Sequence, residues 1–259
     1  MKVNVVFHEK YYNSEYAPDP AASPGRLESI MDIVHASPDR YEIITPEPAS
    51  DSDILLAHTK GHLRNVQSDP VLYECAALSA GGAIVSAERA FEGHPCFGVI
   101  RPPGHHASSD SCWGFCFFNN MSISLLKLFS EEKIRSAFVL DFDLHVGDGN
   151  IDILEDRDDG FEVTILNPML DTGREYVAMV EEYLSILNDV DIIAVSAGFD
   201  NAVGDWGNVL SPGDYTALGY LVKKYSEKLC KGRRFALLEG GYNHDILGTN
   251  MDAFCRGFC

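Results

Sequence analysis

Short apolar runs recur along the chain and predict buried β-strands. The runs are rich in Val, Ile and Phe and do not alternate with polar residues, which is typical of a parallel sheet covered on both faces. The predicted strands cover residues 3–7, 96–100, 136–140, 161–166, 191–196 and 235–238.

Between these runs, apolar residues recur at spacings of three and four and predict amphipathic helices. The helices are expected over residues 71–91, 121–129, 176–187 and 214–229. Residues 211–214 predict the entry of the last helix, but which residue caps it stays open. Because strands and helices alternate, and no repeat or long linker interrupts them, we expect one α/β domain over residues 1–259 with a central, mostly parallel sheet.

The composition narrows the class of protein. A hydrophobic content of 46% supports a sizeable core, and a formal net charge of −19 argues against nucleic-acid binding while favouring cationic molecules. No signal peptide is visible, and no window approaches the roughly eighteen apolar residues of a membrane span. An odd number of cysteines, seven, predicts free thiols. We therefore expect a cytoplasmic protein without membrane partners.

Polar, glycine-containing segments follow four of the predicted strands. In open parallel sheets, ligands bind beyond the carboxyl ends of the strands, so these segments are expected to converge on one crevice. They read RPPGHHA from residue 101, DFDLHVGDG from 141, AGFD from 197 and EGGYN from 239.

The second of these segments predicts a metal site. Asp143 and His145 are two residues apart, so their side chains point to the same side if the backbone stays extended. Asp200, at the end of another strand segment, is the natural third ligand. Three oxygen and nitrogen ligands leave a position open for water, which is typical of catalytic zinc. The alternative is a turn or an ion-pair cluster without metal.

The tandem histidines, His105 and His106, suit acid–base chemistry because they follow a stiff Pro-Pro-Gly sequence. Asp141 and Asp148 remain outside the metal set and could orient one imidazole each. Alternatively, one histidine has a structural or surface role. Tyr242, after two glycines, could donate to an oxyanion, although it could also be a packed aromatic residue.

The aromatic residues and cysteines near the tandem histidines indicate their roles less clearly. Trp113 and Phe115 are expected to line a wall of the crevice. Cys112 and Cys116 could suggest a structural zinc, but their spacing is uncommon for one and a second pair is missing.

Taken in order, the segments RPPGHHA, GFCFFNN, DFDLHVGDGN, SAGFD and EGGYN resemble the histone deacetylase superfamily. The last two forms look more like the class II and acetylpolyamine amidohydrolase branch. The resemblance implies a three-layer arginase/deacetylase-type α/β fold. It also implies zinc-dependent hydrolysis of an N-acetyl amide on a cationic amine, such as an acetylated lysine or polyamine, with release of acetate.

The resemblance implies roles for individual residues. Zinc, or alternatively iron(II), would be held by Asp143, His145 and Asp200. The acid–base pair would be His105 and His106, backed by Asp141 and Asp148, and Tyr242 would polarise the carbonyl. The remaining implied positions are a structural potassium at Asp141, Asp143, His145, Thr164 and Ile165, a substrate tunnel at Gly114, Phe115, Met169 and Gly241, and an acetate channel at Arg26.

Two departures from the family pattern affect the expected specificity. Val146 stands where relatives usually have a second histidine, and the segment 167–175, which often supplies the second tunnel wall, is short. An open, shallow site is expected. A hydrolase of another small amide or ester, a non-catalytic metal-binding protein and a homo-oligomer all stay open. A two-manganese ureohydrolase-like site would need more ligands than the strand ends offer.

Overall fold

A computed structural model describes residues 2–259. It contains one seven-stranded sheet in which every neighbouring pair is parallel. The strands are β1 (Val3–Val6), β2 (Tyr41–Ile44), β3 (Cys96–Gly98), β4 (Ser136–Asp141), β5 (Glu162–Leu166), β6 (Ile192–Ala197) and β7 (Arg234–Leu238). Their order in the sheet is β2-β1-β3-β7-β6-β4-β5.

All six predicted strands are present, with ends that differ by one or two residues. The structure adds β2, which the hydrophobic pattern does not predict. This strand lies at an edge of the sheet, where Glu42 and Ile43 are exposed. A strand that buries so few side chains leaves no continuous apolar run in the sequence.

The helices are α1 (Glu28–Ala36), α2 (Asp51–Ile54), α3 (Lys60–Gln67), α4 (Pro70–Phe91), α5 (Asn120–Ser130), α6 (Asp148–Leu154), α7 (Gly173–Ile186), α8 (Pro212–Leu229) and α9 (His244–Phe258). The four predicted helices correspond to α4, α5, α7 and α8. Helix α9 escapes prediction because it buries Asn250 and Asp252 among its apolar residues, which obscures the periodicity. The open question of the α8 cap has an answer, since Ser211 and Asp214 form a capping box.

The helices form two layers around the sheet, which gives the expected three-layer α/β fold. Helices α4 and α5 pack together on one side, and α4 also contacts β1, β3 and β7. On the other side α9 packs between α1 and α8, and α7 packs against α8. The central strands are therefore buried on both faces, as their unbroken apolar sequences predict.

Helix α4 is the one helix within residues 2–259 whose length and composition would allow it to cross a membrane, a feature that the sequence analysis did not identify. Its mean hydropathy reaches 1.3, although polar and charged residues interrupt the apolar positions. The most apolar part of the helix is 61% buried inside the protein. Because core helices of soluble proteins pass the same test, this is weak evidence for a membrane span.

The carboxyl ends of β3, β7, β6 and β4 lie side by side, because these strands are consecutive in the sheet. The four polar segments identified in the sequence follow these strands. The predicted convergence on one edge of the sheet is confirmed. Among residues 2–259 no cysteine is joined to another by a disulfide.

His58 is buried next to Asn119, the residue that precedes α5. Its Nε2 atom accepts a hydrogen bond of 2.8 Å from the backbone N–H of Asn119. Burial, and then the neighbouring His62, lower the pKa of His58 to about 4. The folded protein therefore holds this imidazole neutral, whereas an exposed histidine in the unfolded chain titrates near 6.5.

We expect His58 to make the protein sensitive to acid. A lowered histidine pKa contributes stability above pH 6.5 that is lost as the pH falls from 6.5 towards 4. When the pH falls from 7 to 5, the free energy of unfolding should decrease by about 2 kcal/mol less in His58→Gln than in the unmodified protein. Glutamine can still accept from Asn119 but does not titrate. Urea unfolding of both metal-free proteins measures this, and equal pH dependence would contradict the assignment.

Candidate active site

Asp143, His145 and Asp200 meet at the carboxyl edge of the sheet, with one potential ligand atom from each lying within 4.8 Å of the others. His145 Nδ1 is 3.1 Å from Asp143 Oδ1 and 3.2 Å from Asp200 Oδ2. Backbone amides fix the two carboxylates. Gly240 N–H donates to Asp143 Oδ2 at 2.9 Å, and Leu144 N–H donates to Asp200 Oδ1 at 3.0 Å.

This group fits a divalent cation. The Oδ2 atom of Asp200 is buried and makes no hydrogen bond. Burial, and then the charge of Asp143, raise the pKa of Asp200 to about 7, so this carboxylate lacks a fully compensating positive charge. A Cβ atom on Gly240 would lie 2.6 Å from an oxygen of each aspartate, so a larger residue would crowd the ligands. Three oxygen and nitrogen ligands would leave a fourth position open for water, as in catalytic zinc sites.

Each of the tandem histidines has its own carboxylate. His105 Nδ1–H donates to Asp141 Oδ2 at 3.1 Å, and His106 Nδ1–H donates to Asp148 Oδ1 at 2.6 Å. Both rings are buried, and their centroids are 4.0 Å apart. In each imidazole the carboxylate fixes the ring orientation and leaves Nε2 for chemistry.

The two histidines differ in protonation. Burial, and then the charge of His105, lower the pKa of His106 to about 4, which keeps that ring neutral near pH 7. Burial alone would also lower the pKa of His105. There the charges of Asp143 and Asp141 outweigh burial and raise the pKa well above its ordinary value. At neutral pH His106 is therefore the ring of the pair with an unprotonated nitrogen that can accept a proton.

The loop after the tandem histidines presses against His106. Gly114 has a φ of +58°, and a Cβ atom there would lie 2.4 Å from His106 Cδ2. The next residue, Phe115, also has a positive φ of 67°, which is rare for a bulky side chain. This turn places the Phe115 ring edge-on to Tyr242, with 6.0 Å between the centroids.

Tyr242 enters the site from the turn after β7. Gly241 has a φ of +118°, a conformation that favours glycine, and the Tyr242 N–H donates to Asp205 Oδ2 at 2.8 Å. Burial raises the pKa of the Tyr242 phenol above its ordinary value, so it stays a protonated donor at neutral pH. Trp206 stacks on the phenol ring with 4.0 Å between the centroids.

Arg26 lies fully buried behind Tyr242, with its guanidinium 5.6 Å from the centroid of the tyrosine ring. Its Nε donates to the Gly241 carbonyl at 2.8 Å, and its Nη2 donates to the Glu239 carbonyl. The third nitrogen, Nη1, is buried without a hydrogen-bond partner. One donor of this cation is therefore available to an acceptor from outside the chain.

The other implied positions are less closely tied to this cluster. Thr164 and Ile165 lie on β5, paired with Phe138 and Val139 just before the end of β4. The Asn167 amide donates to the Asp141 carbonyl at 3.3 Å and competes with a cation for that oxygen, so the potassium site stays a prediction. Met169 is 67% exposed and lines a neighbouring cavity of about 280 Å³ rather than the ring of residues around the metal ligands.

Glu239, the first residue of the motif EGGYN, has no predicted role from sequence. This carboxylate is fully buried and accepts from Gly104 N–H at 2.8 Å, from His105 N–H at 3.2 Å and from Ser196 Oγ–H at 3.2 Å. Burial raises its pKa to about 7. The position of Glu239, a charged residue directly after an apolar strand, could have indicated a functional role.

Trp206 and Asp205 were also missed, because the part of the loop between Asp200 and α8 carries no recognisable motif. The expected wall residue Trp113 does reach the site: its ring lies 4.0 Å from that of His106, and its Nε1–H donates to Asp148 Oδ2 at 2.8 Å. The structure gives no support to a zinc between Cys112, which is exposed, and Cys116, which is buried.

A family model described as the histone deacetylase domain matches residues 20–167 and 159–258. The chain belongs to the histone deacetylase family. A probable deacetylase of Archaeoglobus fulgidus is 30% identical over 94% of this chain and 82% of its own length. A histone deacetylase-like amidohydrolase of Pseudomonas aeruginosa is 27% identical over 84% of this chain and 70% of its own length.

A solved structure also matches this histone deacetylase fold. The crystal structure of the HDA15 HD domain superposes with a TM-score of 0.83, covers 100% of this chain and 90% of its own chain, and is 23% identical. The resemblance to the superfamily and the expected fold class are thereby confirmed.

For this histone deacetylase family member we expect one tightly bound divalent metal per chain. Asp200→Ala should lower the affinity for zinc at least about 10-fold, since it removes one of three ligands. Asp148→Asn, which changes an acid beside the cluster, should keep the metal. Metal content after dialysis against a weak chelator measures both. Equal metal retention in the two variants would exclude Asp200 as a ligand.

Glu239→Ala should destabilise the protein by at least about 2 kcal/mol, because it leaves two buried amides and a hydroxyl without an acceptor. Glu239→Gln should cost less, since its amide oxygen can still accept one of these bonds. Urea unfolding of both variants compares them. A similar loss in both would mean that the charge of Glu239, and not its hydrogen bonds, stabilises the site.

Proposed function

We propose that this chain is a metal-dependent deacetylase, with zinc as the metal, that hydrolyses an N-acetyl amide and releases acetate. One observation carries the proposal. The ends of four adjacent strands bring a three-ligand metal group, two carboxylate-backed histidines and a buried tyrosine together. The relatives named as a probable deacetylase and as a deacetylase-like amidohydrolase support the same reaction class.

The metal ligands would be Asp143, His145 and Asp200, which fit zinc or iron(II). Bound there, the metal supplies Lewis-acid activation of a water molecule and of the amide carbonyl. The protein's own contribution is to hold these ligands through the amides of Gly240 and Leu144, so that their geometry changes little during the reaction.

His106 is the proposed general base. Its low pKa keeps it neutral at physiological pH, and Asp148 holds Nδ1–H so that Nε2 can take the proton from water. Asp148 also stabilises the imidazolium that forms. Either His106 or His105 then donates a proton to the leaving amine. Such proton transfer is worth roughly 10² to 10⁴ in rate.

Tyr242 is proposed to donate its phenolic hydrogen to the oxygen that becomes negative during attack on the amide. Its raised pKa suits this task, because the hydroxyl is a donor across the neutral range. The free Nη1 of Arg26, behind the tyrosine, supports the further proposal that the acetate product leaves along that side.

Tyr242→Phe should lower kcat for acetate release about 10² to 10³-fold, the usual cost of one oxyanion donor. Zinc content should stay unchanged, because this hydroxyl is not a proposed ligand. Acetate release from acetylated diamines and an acetyl-lysine peptide measures the activity after metal is restored. Asp200→Ala, with its weakened metal affinity, provides the control. Loss of zinc in Tyr242→Phe would contradict the role given to the tyrosine.

A further inference from the structure

Two fully buried arginines lack a neutralising carboxylate. Arg26 is 0% exposed and Arg101 is 1% exposed. Within residues 2–259 no side-chain carboxylate lies within 4.0 Å of either guanidinium, and the acceptors of both groups are backbone carbonyls. A carbonyl oxygen satisfies an N–H group but brings no full negative charge. Buried charges are costly unless an opposite charge lies close to them.

Three donors in this region are buried without an acceptor. They are the Nη1 atom of Arg26, the Nε atom of Arg101 and the hydroxyl of Tyr16. The Tyr16 side chain is buried, and its ring centroid lies 5.8 Å from Cζ of Arg101. Because buried polar groups in folded proteins almost always have a hydrogen-bond partner, three such donors indicate that an acceptor belongs here.

The three side chains are close enough to act on one another. The Ser23 carbonyl accepts from Arg101 Nη1–H at 3.0 Å and from the backbone N–H of Arg26 at 3.4 Å. Burial raises the pKa of the Tyr16 phenol, and the charges of both arginines act in the opposite direction. Burial lowers the pKa of Arg101, and the charge of Arg26 lowers it further although Tyr16 opposes both. A bound negative charge would relieve this repulsion.

The acidic groups nearest to this cluster do not supply that charge. Asp19 Oδ1 accepts from the Ala22 N–H at 2.9 Å, and burial raises the pKa of Asp19 even though both arginines act to lower it. Glu28 is exposed, so solvent screens its charge. Burial raises the pKa of the Cys75 thiol, which packs beside Tyr16, so this thiol is neutral at physiological pH.

We propose that a small monovalent anion of the halide class binds between Arg101 and Tyr16, where the charge of Arg26 adds to the attraction. The anion accepts from Arg101 Nε–H and from the tyrosine hydroxyl, and it offsets buried positive charge. Hydrogen bonds from a guanidinium to an anion are the strong, charge-assisted kind. A water molecule would bring no charge and would need acceptors for its own hydrogens.

This anion site would connect two parts of the protein. Arg101 directly precedes the Pro-Pro-Gly sequence that leads to His105, and its other donors bind the carbonyls of Asn13 and Ser23. The anion therefore stabilises the packing of the segment 13–26 against the loop of the tandem histidines. It is separate from the metal ligands and does not depend on the proposed deacetylase reaction.

Urea unfolding of the metal-loaded protein tests the site, with chloride replaced by gluconate, a much larger monovalent anion, at constant ionic strength. Above the dissociation constant, the folding equilibrium constant should rise about 10-fold for each 10-fold increase in chloride. Tyr16→Phe should raise the chloride concentration needed at least about 10-fold, because it removes one donor to the anion. Arg101→Met should abolish the dependence. Equal stability of the unmodified protein in both salts would overturn the proposal.

Tyr11→Phe is the matched control, since its buried hydroxyl already has an acceptor, the Leu78 carbonyl at 2.8 Å. This variant should lose stability in both salts and keep the chloride dependence of the unmodified protein. Tyr16→Phe should lose no stability in gluconate, where its hydroxyl has no acceptor to lose. A full chloride dependence in Tyr16→Phe would contradict the site, and this comparison decides the matter even if Arg101→Met does not fold.

Bromide gives the position of the anion directly. Crystals of the metal-loaded protein grown in bromide should show, at the bromine absorption edge, an anomalous peak between Arg101 Nε and the Tyr16 hydroxyl. The peak should weaken in Tyr16→Phe and persist in Tyr11→Phe. Bromide found at the metal ligands or on surface lysines, with none beside Arg101, would overturn the proposal.

Discussion

Burial of negative charge at the carboxyl edge of the sheet is the constraint on which the rest of the structure depends. Asp141, Asp143, Asp200 and Glu239 are each no more than 3% exposed. Isolated carboxylates in such surroundings are costly unless they are paired and hydrogen-bonded. The backbone amides after β3, β4 and β7 and the three histidines supply most of the required donors. The Oδ2 atom of Asp200, 3.2 Å from His145 Nδ1, is left without a hydrogen bond, and a cation would satisfy it.

This constraint also explains why the four segments act as one unit. Glu239, at the end of β7, accepts from the loop after β3, while Gly240 next to it donates to Asp143 after β4. The end of β7 therefore holds in place the segment after β3, its neighbour in the sheet, and the segment after β4, which lies two strands away. A site built in this way is rigid because its parts are cross-linked by buried hydrogen bonds, which are stronger in surroundings that exclude water.

Much of the fold and the centre of the site could be predicted from sequence. Buried strands need unbroken apolar runs, and polar residues directly after such runs are informative because they cannot serve the core. Edge strand β2 and helix α9 carry weaker signals, since one is half-exposed and the other buries polar residues. Trp206 could not be predicted, because its position depends on how a loop without regular periodicity folds back over Tyr242.

The carboxylate of Asp148, at the edge of the site, accepts hydrogen bonds from two donors of different kinds. Asp148 accepts from the imidazole of His106 through one oxygen and from the indole of Trp113 through the other. Any molecule that shifts the indole therefore also loosens the group that aligns the imidazole. Binding of a molecule beside Trp113 is therefore coupled to the orientation of His106. A ligand that leaves the indole in place preserves the orientation that proton transfer requires.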